Sequence, residues 1–333
     1  MVTVMVPIHG RLAALEDKLE SLIRCDYPQG ALDILVLADG PVEGAEGLVA
    51  RFQADHQAEF RLLEGPHSGK NVGLVRGAKA ARGAILMVTD ADATMDPQSI
   101  SAMVAALEPD QVGGGCGLHV ITSKGLQSAY WGSESRFKEA EMTLMGSITA
   151  SNGTILAVKR ERFPDLPPFV TDDLFMALAV VQAGYRFVYA PGAIVHIQQP
   201  SRHPGWEFRR RRRIVCRSLW GLWIHRGLFN PLRHGLYAIC LGSQKLLRRL
   251  LPLFLLATLL LSAMLAWGGA ALGLLLLLVQ VGAYGIGALG WWLLLRGIRP
   301  PGPIRAAGYF LAANVGLALG ILDFLRGRQV ASW

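Results

Sequence analysis

The sequence predicts an α/β domain on a parallel sheet, then basic, aromatic helices at a membrane interface, then a membrane-spanning helical tail. Three observations carry this expectation. Short apolar runs rich in branched residues alternate with helical segments near the start of the chain. Charge is partitioned: residues 1–200 hold 16 Lys and Arg against 23 Asp and Glu (net −7), residues 201–249 hold 12 against 1 (net +11), and residues 250–333 hold 5 against 1 (net +4). Finally, the 46 residues from Leu250 to Leu295 contain no Asp, Glu, Lys or Arg. Charged residues are 17% of the chain, where a soluble globular protein carries about a quarter, which argues against a purely soluble molecule. The acidic first 200 residues likewise argue against nucleic acid as a partner, since a nucleic-acid binder carries its basic charge on the folded domain itself.

Val2–Val6 reads as the first buried strand, and residues 1–8 lack the charged segment that opens a signal peptide. Apolar residues recur at helical spacing from Leu12 to Cys25, and Ile34–Ala38 is the second strand. A Gly/Ala/Arg helical segment, Val72–Arg82, leads to the third strand, Ala84–Thr89. Strand–helix–strand–helix–strand implies a parallel sheet, whose ligands lie at the carboxyl ends of its strands. Those ends are Pro7, Asp39-Gly40 and Asp90-Ala91-Asp92. Carboxylates at i and i+2 after an apolar strand are the hard oxygen ligands that Mg²⁺ or Mn²⁺ takes alongside substrate phosphates, although a solvated acidic turn has the same pattern. Lys70, in Ser68-Gly69-Lys70, either contacts phosphate or is simply exposed, and its spacing is not that of a Walker loop. Thr171-Asp172-Asp173 opens a helical stretch to Gly184, followed by the strand Phe187–Ala190. One of these acids serves as a helix cap and dipole partner, and the other is available as a general base. Cys25, Cys116, Cys216 and Cys240 have no metal-ligand spacing, which fits a reducing cytosolic domain.

The strip at 201–249 begins with Arg209–Arg213 and interleaves its cations with Trp206, Phe208, Trp220, Trp223, Phe229 and Tyr237. Cations with Trp and Tyr suit helices in a lipid headgroup layer, where rings and anionic lipids both find partners. A spanning helix needs about 20 apolar residues, so Leu250–Leu295 holds two spans, turning at Gly268-Gly269. A third candidate, Ala306–Leu322, has 17 uncharged residues. The spans are expected at about 251–268, 271–295 and 306–325. The positive-inside rule puts the strip and the loop Arg296–Arg305 on the cytoplasmic side.

Taken in order, these pieces resemble membrane-bound family 2 glycosyltransferases of the GT-A fold, near the cellulose, hyaluronan and poly-N-acetylglucosamine synthases. The resemblance runs through Val6-Pro7, Tyr27-Pro28, Leu35–Gly40, Gly69-Lys70, Asp90-Ala91-Asp92, Thr171-Asp172-Asp173, Gly184-Tyr185-Arg186, Tyr189–Ala193, Phe208–Arg213 and Gln244–Arg248, covering most of residues 2–265. It implies a Rossmann-like mixed sheet in residues 1–200, interfacial helices in 201–249 and a transmembrane region in 250–333. It also implies a substrate pocket of Pro7, Asp39, Lys70 and Asp90, a Mg²⁺ or Mn²⁺ on Asp92 with Asp90, and Asp173 as general base, with Asp172 in place of the motif's Glu. His196 is a candidate further metal ligand, and Trp131, Glu134 and Glu141 are candidates to line an acceptor groove. Arg210 and Arg213 occupy the first and fourth places of the Gln-x-x-Arg-Trp motif; Arg210 replaces the Gln and Ile214 the Trp. Without that Trp to stack on a growing polymer, a self-sufficient polymer synthase is disfavoured. Two further departures are His9-Gly10 where many relatives carry acids, and Val75 where they carry Asn.

The resemblance therefore implies an inverting, metal-dependent transferase that moves a sugar from a nucleotide sugar, by family habit a UDP-sugar, to a lipid or lipid-linked acceptor. The expected location is the bacterial inner membrane with the catalytic domain cytosolic. A processive synthase and a catalytically silent scaffold of a polysaccharide assembly complex are the alternatives.

Overall fold

Seven consecutive buried residues, Val2–Ile8, form strand β1. Leu32–Asp39 (β2) pairs with it in parallel on one side and Ile85–Thr89 (β4) on the other, while Glu59–Gly65 (β3) lies parallel outside β2. The remaining strands are Ala93–Met95 (β5), Val112–Ile121 (β6), Ile155–Lys159 (β7) and Arg186–Ile197 (β8). The sheet order is β3-β2-β1-β4-β7-β6-β8-β5. β7 runs antiparallel between β4 and β6, and β5 antiparallel to β8. The strands legible in sequence order up to β4 are parallel; the chain then turns back on itself, so the sheet as a whole is mixed. This computed structural model describes residues 1–10, 12–121, 126–149, 151, 153–197 and 204–331.

Ala13–Ile23 (α1), Ala45–Asp55 (α2), Lys70–Ala80 (α3), Ser99–Ala106 (α4), Leu126–Met145 (α5) and Asp172–Gln182 (α6) accompany the sheet. In α1 the stripe Leu15, Leu19, Leu22 is fully buried and joins Val4, Val6, Ile34 and Val36 in one core, each such side chain contributing about 1.5–3 kcal/mol. Because β1, β2 and β4 are parallel neighbours, their carboxyl ends, where Ile8, Asp39 and Thr89 stand, share one edge of the sheet.

The rest of the chain is helical: Pro204–Ile224 (α7), Pro231–His234 (α8), Leu236–Leu241 (α9), Arg248–Trp267 (α10), Ala271–Leu295 (α11) and Gly302–Leu325 (α12). The chain divides into two units: Met1–Gln199 with Gly221–Leu241 and Ala331–Trp333, and Pro200–Trp220 with Gly242–Val330. Three helical segments, Leu236–Trp267, Ala271–Leu295 and Gly302–Leu325, are long and apolar enough to cross a membrane. In α10 and α11 the large apolar side chains point outward, with Met264 70%, Leu272 64% and Leu278 61% exposed. Helices α11 and α12 touch backbone to backbone: a Cβ on Gly290 would lie 2.2 Å from the Ile304 carbonyl oxygen, and one on Gly308 would lie 2.7 Å from the Gly290 carbonyl carbon. Small residues at such crossings are how apolar helices gain packing where lipid offers no hydrophobic drive. The third segment is longer than its uncharged stretch because α12 takes in Arg305 and Asp323 near its ends. Asp323 is 4% exposed and receives Arg212 Nε at 2.5 Å, Arg212 Nη2 at 2.9 Å and Arg328 Nη1 at 3.1 Å.

Candidate functional site

Asp39 ends β2 and is 6% exposed. A carboxylate so enclosed needs donors, and the turn after β3 supplies them. Oδ1 accepts from the Ser68 N–H at 2.7 Å and the Gly69 N–H at 3.0 Å, and Oδ2 from the Gly69 N–H at 3.1 Å. Gly69 has φ +92°, and the Ala331 carbonyl oxygen lies 2.4 Å from where its Cβ would stand, so a side chain is disfavoured by backbone conformation and by space alike.

The turn delivers Lys70 to the first position of α3. Its Nζ lies 2.9 Å from Asp90 Oδ1 and 2.9 Å from Asp172 Oδ2. Burial draws the ammonium's pKa down, but Asp172 and Asp90 outweigh it and hold Lys70 above the ordinary lysine range. The next residue, Asn71, is 1% exposed and donates from Nδ2 to the Pro167 carbonyl at 2.7 Å and the Val170 carbonyl at 3.0 Å. Two consecutive residues of α3 therefore fasten the segment that leads into α6. That helix opens with Asp172 after the cap residue Thr171. The two adjacent acids have different surroundings: Asp172 is ion-paired with Lys70, whereas Asp173 accepts from the Leu174 N–H at 2.7 Å through Oδ1 and has Gly153 beside Oδ2.

Asp90-Ala91-Asp92 is a tight turn between β4 and β5, closed by the Ala93 N–H donating to the Asp90 carbonyl at 3.3 Å. Asp90 is half-buried and Asp92 exposed. Two carboxylates on one open turn are the hard oxygen donors that suit Mg²⁺ or Mn²⁺ with phosphate oxygens completing the shell. His196 is engaged elsewhere: its register partner on β5 is Thr94, and its Nε2 lies 2.6 Å from Asp96 Oδ1. Among the described residues, the His, Cys, Asp and Glu side chains that gather three ligand atoms within 4.8 Å are His9, Asp39 and His67. That group also has partners among the protein's own atoms. Both Asp39 oxygens accept backbone N–H groups, and His9 Nδ1 faces the Asp39 carbonyl oxygen at 3.1 Å. The His9 and His67 rings meet edge to face with centroids 5.4 Å apart, forming a rim above Asp39.

Pro7 is buried in β1 opposite Leu37 and sets the exit of the chain towards His9. Glu141 does not line a groove: it is 8% exposed, and its carboxylate accepts from the Thr149 N–H at 2.9 Å and the Thr149 hydroxyl at 2.5 Å. A charge that falls on a helix's buried face becomes a structural anchor when backbone donors are within reach. Glu134 is half-buried in α5, and the side chain of Trp131 lies outside the described residues. Arg210 and Arg213 lie on α7 in the second unit, where burial, then Arg217 and Arg210, lower the Arg213 pKa. Asn71 and His67 escaped the sequence reading. Asn71 shares a helical face with Leu74, and a polar residue on that face was the available signal; His67 gave none, because its role comes from two loops meeting.

Residues 1–217 match the sequence profile of a family described as glycosyltransferase like family 2. The probable glycosyltransferase YdaM of Bacillus subtilis (strain 168) is 23% identical over 229 residues, covering 63% of this chain and 54% of that protein. The chain thus spans about half the length of that relative. Among solved structures, the mannosyltransferase PcManGT from Pyrobaculum calidifontis, in complex with GDP-Man and Mn²⁺, aligns with a TM-score of 0.70 at 23% identity, covering 97% of this chain and 86% of that one. The mixed sheet is the GT-A arrangement that the sequence resemblance implied.

Proposed function

The chain belongs to glycosyltransferase family 2, and from that premise we propose that it transfers a sugar, with inversion, from a nucleotide-sugar donor to a lipid or lipid-linked acceptor in cell-surface polysaccharide or glycolipid synthesis. The observation that carries this reading is the position of Lys70, whose ammonium joins Asp90 of the Asp-x-Asp turn to Asp172 at the head of α6. Three segments separated in sequence thereby meet at one sheet edge, as a donor, a leaving group and a proton acceptor require.

In this reading Asp39, below the His9 and His67 rim, faces the nucleobase. Lys70 faces the diphosphate and Asp90 the nucleotide sugar. Asp92 with Asp90 would hold Mg²⁺ or Mn²⁺, whose charge offsets that growing on the departing nucleoside diphosphate. Asp173 takes the proton from the acceptor hydroxyl as it attacks the anomeric carbon, an assistance worth about 10²–10⁴-fold for positioned bases. Arg210 and Arg213 carry the cationic charge that suits an acceptor bearing phosphate. The GDP-Man bound by PcManGT puts GDP-sugars beside UDP-sugars as donors. The three apolar helices and the basic strip support a seat in a bacterial inner membrane, with the catalytic unit on the cytosolic face.

The test is a screen of UDP- and GDP-sugars against native membrane lipid extract, with products read by mass spectrometry. One added sugar on a lipid species is the expected product. A ladder of sugars would transfer the reading to a processive synthase. Failure of every nucleotide sugar to bind or react would leave a silent scaffold.

A further inference from the structure

Beneath the Asp-x-Asp turn lies a cation that the reaction above does not use. Lys18 occupies the apolar stripe of α1, between Leu15 and Leu22, and is 0% exposed. Its Nζ donates to the Thr89 hydroxyl at 2.7 Å and to the Ala93 carbonyl at 2.7 Å. Thr89 immediately precedes Asp90 and Ala93 immediately follows Asp92, so one ammonium grips both ends of the turn from inside the core. The contact continues past the turn. The Thr89 hydroxyl donates to the Thr154 carbonyl at 2.9 Å, and the Asp90 N–H reaches the same oxygen at 3.4 Å. Thr154 follows Gly153, the residue that stands against Asp173. The back of the turn and the wall beside the proposed base thus hang from one buried side chain.

A fully buried ammonium is costly unless paired and hydrogen-bonded. Here two neutral acceptors each accept one of its hydrogen bonds, and a leucine would fill an apolar stripe at less cost. The acids that offset its charge are on the turn above. Burial lowers the Lys18 pKa, and Asp90, then Cys25 and Asp92, offset part of that, leaving it lowered to about 7.

We propose that Lys18 is a positioning residue for the donor site, clamping the turn so that Asp90 and Asp92 both face outward and balancing their charge from behind. The role as a clamp stands on the ligand-free structure; its consequence for donor binding rests on the function proposed above. The experiment separates the two using the full chain in detergent or nanodiscs, comparing wild type with Lys18→Met. In ligand-free protein, hydrogen exchange at the Asp90 and Ala93 amides should speed up at least tenfold in the variant, while the melting temperature stays level or rises because a buried charge has gone. Mn²⁺ binding in the presence of UDP or GDP, followed by electron paramagnetic resonance, should weaken at least tenfold, and donor KM should rise more than kcat falls. Should Lys18→Met fail to fold, Thr89→Val removes one of the two acceptors and leaves the charge; the same exchange and binding changes should appear in smaller measure. Unchanged exchange at these amides in a folded variant overturns the clamp. Faster exchange with wild-type Mn²⁺–nucleotide affinity and donor KM overturns the link to the donor. If wild type itself binds no Mn²⁺–nucleotide, the donor-site reading is what fails, while the exchange data still decide the clamp.

Discussion

Replacing each member of the adjacent pair Asp172 and Asp173 by asparagine gives two different defects. Asp172 and Lys70 stand 2.9 Å apart with side chains 15% and 14% exposed. Breaking a buried pair by removing one partner costs about 3–5 kcal/mol when the other charge is stranded. Lys70 keeps Asp90, so Asp172→Asn should cost less, about 1–3 kcal/mol, and lower the melting temperature by roughly 2–4 °C per kcal/mol for a unit of this size. Donor KM should rise with it, since Lys70 loses one of its two anchors. Asp173 has different surroundings, with the Leu174 N–H on Oδ1 and Gly153 beside Oδ2; its loss as general base should lower kcat by about 10²–10⁴-fold, or about 3–5 kcal/mol of barrier, with folding and donor KM little changed. Thermal unfolding, donor titration and initial rates of sugar transfer on the same purified variants make the comparison. Near-normal turnover in Asp173→Asn, together with an Asp172→Asn enzyme that is dead but fully stable, would refute the assignment and make Asp172 the base.

Three further outcomes are expected. Gly69→Ala should weaken nucleotide binding by tenfold or more in calorimetric titration, because its backbone has φ +92° and its Cβ would meet the Ala331 carbonyl oxygen at 2.4 Å, disturbing the turn that places Lys70. Gly308→Leu should lower the unfolding temperature in detergent, since a side chain would force apart the α11–α12 crossing, overpacking that costs about 1–3 kcal/mol. His119 is pushed from 6.5 down to about 4, by burial first and then by Lys138; below pH 6.5 the unfolded chain takes up a proton that the folded chain refuses until about pH 4. Stability should therefore fall across that window by up to about 3 kcal/mol; urea melts at several pH values should show the slope, and His119→Asn should remove it.

The elements visible in the sequence were those whose side chains announce their surroundings. β1 (Val-Thr-Val-Met-Val-Pro-Ile) and β2 (Leu-Asp-Ile-Leu-Val-Leu-Ala-Asp) are buried along their whole length, and their largely apolar runs rich in Val, Ile and Leu say so. β6 is equally central but reads Val-Gly-Gly-Gly-Cys-Gly-Leu-His-Val-Ile, which lacks any strand signature. The cause is crowding: a Cβ at Gly117 would stand 2.1 Å from the Ala193 carbonyl oxygen, where the register of β6 and β8 shifts. A strand whose neighbours press on it is written in glycine, and propensity cannot distinguish that from a loop.

The site divides in a similar way. The acids were legible as carboxylates at the ends of apolar strands, Asp39 at the end of β2 and Asp90 with Asp92 as an i, i+2 pair after β4, while the roles expected of them came from the family resemblance. Their pairing was not legible, since Lys70 reaches Asp172 only because Asn71 ties α3 to the 167–170 segment. Without that tie, nothing in the sequence tells two adjacent aspartates at a helix start apart; with it, Asp172 is joined to Lys70, and Asp173 stands beside Gly153. Asn71, Lys18 and Glu141 share a sequence signal that a search for exposed functional groups passes over. Each is polar yet falls on the apolar period of its helix, and each proves to be buried and bonded to backbone oxygens or N–H groups of the loop it supports. A polar residue on a core-facing stripe therefore points to a loop that needs holding. In this chain two of the three hold loops that carry the acids assigned to catalysis.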